Sequence, residues 1–210
     1  MPRNALRLCA PALVLLAALA IPGGPAAAGQ GDYSIRFSSG IAIPMGSFGS
    51  DWKSGVPIGL NLAYGTGKHT DLALDMSYRR LRPSVPSTEL FGVKDDNIHI
   101  GEWRVGGRLR RELVSTNASV VPYAVLGAAI YPVRLVSQDS LGVLEYSSSK
   151  LGLNGGLGVD YRISPEVALG LEGIYNAGKA AQSKVGYDFV PDIELTFGLR
   201  WIPGGAESGD

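Results

Sequence analysis

Cysteine is nearly absent from this 210-residue chain: Cys9 is the only one, and it sits at the start of an apolar N-terminal stretch. A lipid-modified cysteine would follow such a stretch, so an acylated anchor is excluded, as are a disulfide framework and a cysteine metal site in everything downstream. Histidine is almost as scarce. His69 and His99 alone cannot make a multi-histidine metal centre, and no metal or cofactor is expected. Charge of one sign is missing too, with 19 basic residues against 19 acidic, which gives no electrostatic case for a nucleic-acid partner. After the first apolar stretch, no run approaches the roughly 18 apolar residues of a spanning helix.

What is present at the N-terminus is Arg3 and Arg7, an apolar segment from Leu8 to Ile21, and Ala26-Ala27-Ala28 before Gly29. Positive start, short apolar middle and small-residue cleavage site make residues 1–28 a secretory signal peptide that is absent from the mature protein. Its loss leaves 17 basic against 19 acidic residues, a net charge of −2. The rest reads as one domain over residues 29–203 with a short tail at 204–210. An exported chain without a spanning helix can enter lipid only as a closed barrel, because only helices and barrels satisfy every backbone hydrogen bond there.

Period-two alternation, the mark of half-buried strands, recurs along the whole mature chain and gives eight strands. YSIRFSSGIAIP sets Tyr33, Ile35, Phe37, Ile41 and Ile43 against Arg36, Gly40 and Ala42, and PIGLNLAY sets Ile58, Leu60, Leu62 and Tyr64 against Gly59, Asn61 and Ala63. DLALDMSYRRLR, LGLNGGLGVDYR, VALGLEGIY and DIELTFGLRWIP alternate in the same way. Two strands are irregular. In NIHIGEWRVGGRLRREL, Ile98 and Ile100 fall on the charged parity, which predicts a bulge or an exit from the membrane near Gly101. VVPYAVLGAAIYPVRLV is apolar on both parities.

The connections alternate as well. Residues 45–56, 83–96, 137–147 and 178–191 are long, whereas 65–70, 114–119 and 163–166 are short, so four long loops should emerge at one end and the short turns at the other. Outer-membrane barrels are built with that asymmetry. Two further features favour lipid outside over a dry apolar core. The charged parity also carries Gly40, Gly59, Gly106, Gly152, Gly156, Gly158, Gly170 and Gly198, and a narrow lumen admits long side chains only beside small ones. Tyr33, Tyr64, Tyr78, Trp103, Tyr123, Tyr131, Tyr161, Tyr175 and Trp201 collect near strand ends, as in girdles at the two membrane interfaces. An all-β, eight-stranded antiparallel up-and-down transmembrane β-barrel is expected. Its lumen would hold Arg36, Arg79, Arg104, Arg108, Lys150, Arg162 and Arg200 against Asp71, Asp75, Glu102, Asp160, Glu172 and Glu194. That balance is near neutral, as a desolvated interior requires.

VPYAVLGAAIYPV, residues 121–133, and KLGLNGGLGVDYRISPEVALGLEGIY, residues 150–175, are similar to the strand motifs of small outer-membrane barrels of the OmpA/OmpX type. The resemblance implies insertion into outer-membrane lipid by the outer-membrane assembly machinery, and a role in envelope integrity, adhesion or contact with a surface ligand at the long loops. The chain departs from the pattern at its end, where Trp201 is followed by IPGGAESGD rather than closing the strand. Too few residues remain for a peptidoglycan-binding domain.

Chemistry is hard to find. His99 with Ser77 or a loop serine would be the start of a lipid hydrolase, but no motif surrounds either residue and a base needs a positioned nucleophile. The expected function is therefore non-enzymatic, with a filled polar lumen and four external loops in the bacterial outer membrane. Two alternatives stay open. One is a barrel that binds or passes a small apolar ligand through a gap at Ala124, Leu126, Ala128 and Ile130; the other is a soluble periplasmic lipocalin-like binding barrel. Phe48, Trp52, Phe91, Tyr146, Tyr187 and Phe189 in the loops are expected to pack on the rim or meet a partner.

Overall fold

Alternating side chains commit each segment to a strand with two unlike faces, and eight such strands with one face of each apolar can hide their edges only by closing on themselves. The computed structural model describes residues 31–67, 69–84, 98–113, 119–139, 142–180 and 189–203. The signal segment 1–28 and the tail 204–210 lie outside the described residues. The strands are β1 (Tyr33–Pro44), β2 (Val56–Gly67), β3 (Thr70–Leu81), β4 (His99–Glu112), β5 (Val120–Asp139), β6 (Gly142–Arg162), β7 (Val167–Ala180) and β8 (Phe189–Trp201). They form a closed antiparallel barrel in sequence order. The seam pairs β1 with β8 from Ile35↔Trp201 to Pro44↔Asp192, so no strand edge is left along the wall.

The apolar parity points outward. Phe37 is 62% exposed, Leu157 65% and Leu171 59%, while Arg36, Asp75, Arg104 and Glu172 on the other parity are buried. A soluble lipocalin-like barrel would have these faces exchanged, so that reading is overturned by the burial itself. The apolar-ligand reading fails at its chosen place as well: Leu126 and Ile130 are on the outer wall, at 65% and 53% exposure.

The registers decide two expectations. No bulge occurs at Gly101, because β3 and β4 pair without a shift from Leu81↔Ile100 to Thr70↔Arg111. Ile98 and Ile100 simply continue the inward parity above the charged lumen, where the fill changes from ionic to apolar. The one irregularity of the β2–β3 pair lies between Gly65 and Gly67. The third long loop, expected at 137–147, is mostly strand. β5 and β6 stay paired from Ser137↔Leu144 to Asp139↔Gly142, so a hairpin rises past the neighbouring strands instead.

The first loop is not extended either. A short helix, α1 (Gly46–Asp51), turns the chain inward over the mouth. Phe48 and Trp52 stack with ring centroids 6.1 Å apart and pack with Leu81, Ile98, Ile100 and Val133 in one buried cluster. Bridges from Ala42 to Gly55 and from Trp52 to Pro83 hold this segment to the rim. The loop end is thus closed by an apolar cap.

Trp52, at 2% exposure, is its largest side chain. Trp52→Ala is expected to cost about 3–5 kcal/mol, the range for deleting a buried tryptophan or phenylalanine side chain. Urea unfolding of the folded barrel checks this, and a loss below about 1 kcal/mol would show that the cap does not carry stability.

Candidate functional site

Alternation places every inward side chain on a common axis, and the long ones from β1, β3, β4, β7 and β8 meet there because their neighbours are small. Gly158 faces Tyr123 directly across the β5–β6 ladder, and a Cβ at Gly158 would overlap the tyrosine ring. A Cβ at Gly198 would lie 2.7 Å from Arg36 Nε. These glycines are the space that the arginine and tyrosine fill.

Three tiers of ion pairs result. Next to the cap, Arg79 Nη2 donates to Glu102 at 2.6 Å and to Asp192 at 2.7 Å, and its Nη1 lies 3.5 Å from Glu194. In the middle, Arg104 bridges Asp75 at 2.8 Å and Glu194 at 2.6 Å, while Arg108 bridges Asp75 at 2.9 Å and Glu172 at 2.7 Å. Towards the short turns, Arg110 holds Asp71 at 2.8 Å and Asp160 at 2.9 Å, and Arg200 holds Asp71 at 2.9 Å. Arg36 joins the lower tiers through Asp160 at 3.3 Å. Each carboxylate serves two guanidinium groups or the reverse, which satisfies more lone pairs than isolated pairs would.

Of the lumen residues read from the sequence, Arg36, Asp71, Asp75, Arg79, Glu102, Arg104, Arg108, Asp160, Glu172, Glu194 and Arg200 come together in these tiers. Arg162 sits at the margin, 3.8 Å from Glu112 with its side chain 30% exposed. The side chain of Lys150 lies outside the described residues. Arg110, Glu112 and Asp192 join them; Arg110 and Asp192 stand on the charged parity of their strands in the sequence but were not assigned to the network, and Glu112 shares the parity of Arg110.

Tyr123 and Tyr131 are a correction. Both were expected in the girdles, and both are inside, at 0% and 3% exposure. Tyr123 Oη donates to Glu172 at 3.1 Å and accepts from Arg36, and the Arg110 guanidinium lies 4.2 Å from its ring centroid. Tyr131 Oη donates to Asn176 at 3.3 Å, and Asn176 in turn donates to Asp192 at 2.8 Å. An apolar ring with a polar tip suits the lumen, where the ring fills volume and the hydroxyl joins the network.

The other seven girdle candidates lie on the outer wall. Tyr33, Tyr64, Tyr161 and Trp201 are at the short-turn end, with Tyr33 and Tyr64 rings 5.1 Å apart. Tyr78, Trp103 and Tyr175 are nearer the loop end, with Tyr78 and Trp103 rings 5.0 Å apart.

Among the described residues the lumen leaves little space, and Ser77 and His99 do not meet. A void of about 20 Å³ among Arg36, Asn61, Asp71, Arg108, Arg110 and Arg200 is room for one water. Ser77 is buried on the lumen side, whereas His99 is on the outward parity of β4, so the barrel wall separates them. Among the described residues no group of three or more potential metal ligands forms. Phe91 and Tyr187, and the side chains of Tyr146 and Phe189, lie outside the described residues.

Residues 12–200 match the outer membrane protein beta-barrel domain family. The fold is similar to that of Neisserial surface protein A, at 23% identity and TM-score 0.58, over 80% of this chain and 96% of that one. It is also similar to the N-terminal barrel domain of Pseudomonas aeruginosa OprF, at 14% identity and TM-score 0.52, over 83% and 98%. OprG from the same organism aligns at 15% identity and TM-score 0.52, over 83% and 96%. No curated protein matches the chain.

Arg79 is the most constrained member of the network. Arg79→Met is expected to cost about 3–5 kcal/mol, because it takes the guanidinium partner from buried Glu102 and Asp192 and leaves Glu194 with Arg104 alone. Adding Glu102→Gln should recover part of that loss. Urea titrations of the single and double variants measure both, and a double variant no more stable than Arg79→Met would argue against charge as the cause.

Proposed function

Since this chain belongs to the outer membrane protein beta-barrel domain family, we propose that it is a non-enzymatic structural barrel of the bacterial outer membrane, whose loop end contacts the cell exterior. One observation carries this reading: the barrel is ionic inside and apolar outside, the inverse of a water-soluble protein. Large apolar side chains such as Phe37, Ile58, Leu126, Leu153 and Phe197 are each more than half exposed on the wall. Only hydrocarbon covers such a surface around a monomer, since soluble proteins rarely leave contiguous apolar patches above a few hundred Å².

The two aromatic groups support the same placement. Tyr33, Tyr64, Tyr161 and Trp201 at one end and Tyr78, Trp103 and Tyr175 nearer the other fit the headgroup levels of the two leaflets. Residues 1–28 would direct export and be removed, and the outer-membrane assembly machinery would insert the barrel with its short turns in the periplasm. The exterior would then meet the α1 cap, the β5–β6 hairpin and the segments that join β3 to β4 and β7 to β8. Surface partners would bind there. The ion-paired lumen and the cap support a wall that passes no solute, so the role is to hold and present the rim.

Residues 29–210 refolded with and without detergent, and run unboiled and boiled on SDS gels, test the reading. A detergent-dependent fold whose unboiled band migrates apart from the boiled one is expected. A folded, monodisperse protein without detergent would overturn it. Leu157→Arg, on the outer wall between the two aromatic levels, should lower stability in vesicles by about 2–4 kcal/mol.

A further inference from the structure

Towards the short-turn end of the lumen, three guanidinium nitrogens have no acceptor among the described residues: Nη2 of Arg36, Nε of Arg108 and Nε of Arg110. Each of these residues is at 9% exposure or less. A guanidinium only donates, and an enclosed donor without an acceptor costs the desolvation of the group. The same three arginines, with Arg200, line the void of about 20 Å³. The void is there because the wall beside it is small: Asn61 and Ala63 on β2 and Ala73 on β3 complete the lining. Two carboxylates reach it, Asp71 and Glu172, so four positive groups stand against two negative ones, a balance of +2. Asp75, Glu112 and Asp160 pair with these arginines from positions off the void.

We propose that this void is a binding site for one monatomic anion, chloride or bromide. The site is independent of the loop end and of any surface partner. Size selects a single small sphere, because a void of this volume has no room for a carboxylate, a phosphate or a sugar acid. Charge selects an anion over water. A halide accepts from several N–H groups at once and has no proton to place, whereas a water must also turn its O–H groups towards acceptors, and guanidinium groups offer none. Burial is costly for an anion only where it is unpaired, and here the wall supplies the opposite charge. Asn61, opposite Arg36 in the β1–β2 ladder, brings an amide that donates as well.

The test uses the processed chain, residues 29–210, folded in phosphatidylcholine vesicles, with urea midpoints taken in sodium chloride, sodium bromide and sodium gluconate at equal ionic strength. Chloride and bromide should each raise the midpoint along a saturating curve, as a ligand of the folded state alone does. Gluconate, too large for the void, should not. Asn61→Asp, which adds a negative charge to the wall, and Ala63→Val, which fills the space, should each lose the rise. Arg111→Gln, at the exposed rim, should keep it. The same midpoint in all three salts would overturn the proposal, as would a rise that survives in both lumen variants. Crystals grown in bromide give the place directly: an anomalous peak among Arg36, Asn61, Arg108 and Arg110 is expected. Bromide found only on the outer surface would overturn the site even if the midpoint rose.

Discussion

Arg79 and its three carboxylates show the constraint on which the rest of the structure depends: a charge enclosed by the wall must be answered inside the wall. Burying an ion costs several kcal/mol even after relaxation, and a partner repays it only with good geometry and filled hydrogen bonds. The lumen meets that condition through sharing. Asp75 serves Arg104 and Arg108, Glu194 serves Arg79 and Arg104, and Asp160 serves Arg36, Arg110 and Arg200. Arginine suits this better than lysine because its planar fork donates to two carboxylates without turning. The described tiers contain no lysine.

Volume follows from that choice. Guanidinium groups reaching the axis from β1, β3, β4 and β8 leave no room for large residues on the walls they cross, which is why the inward parity of β2 is Pro57, Gly59, Asn61, Ala63 and Gly65. The same reasoning accounts for the glycines of β6. Tyr123 stands on β5 against Gly158, and Gly152 lies under Tyr131, whose Cε2 would be 2.9 Å from a Cβ there. An alternation of leucine with glycine is therefore the imprint of two different solvents, hydrocarbon on one face and a crowded ionic lumen on the other.

That imprint made the fold legible. Wherever charge marks one parity, as in β1, β3, β7 and β8, the inward face can be read directly, and strand order and closure follow from short turns and sequential pairing. β5 was illegible in its phase, because Val121, Tyr123, Val125 and Ala129 face inward while Ala124, Leu126, Ala128 and Ile130 face outward, and hydropathy does not separate them. Its one phase marker is across the ladder, where a large ring lies opposite glycine, and this becomes visible only once the register with β6 is known. The α1 cap was illegible for another reason. Phe48 and Trp52 are buried by contacts with residues as distant as Val133, and no local period records such contacts. The β5–β6 hairpin was hidden because Ser, Gly and Asp around its tip read as loop, while pairing to a partner strand carried the ladder on.

The ion-paired lumen also decides where variation can do work. Opening a path along the axis would require parting Arg79 from Glu102, Asp192 and Glu194 and lifting Trp52 from its apolar contacts. Each buried ion pair broken is worth about 3–5 kcal/mol, while an entire domain is stable by only about 5–15 kcal/mol. Opening would thus cost an amount comparable to unfolding, so the interior acts as a fixed scaffold rather than a gate. The rim beyond the apolar wall is under no such restriction. Exposed positions there tolerate change within about half a kcal/mol, so the rim and the hairpin can acquire binding chemistry with little effect on the barrel.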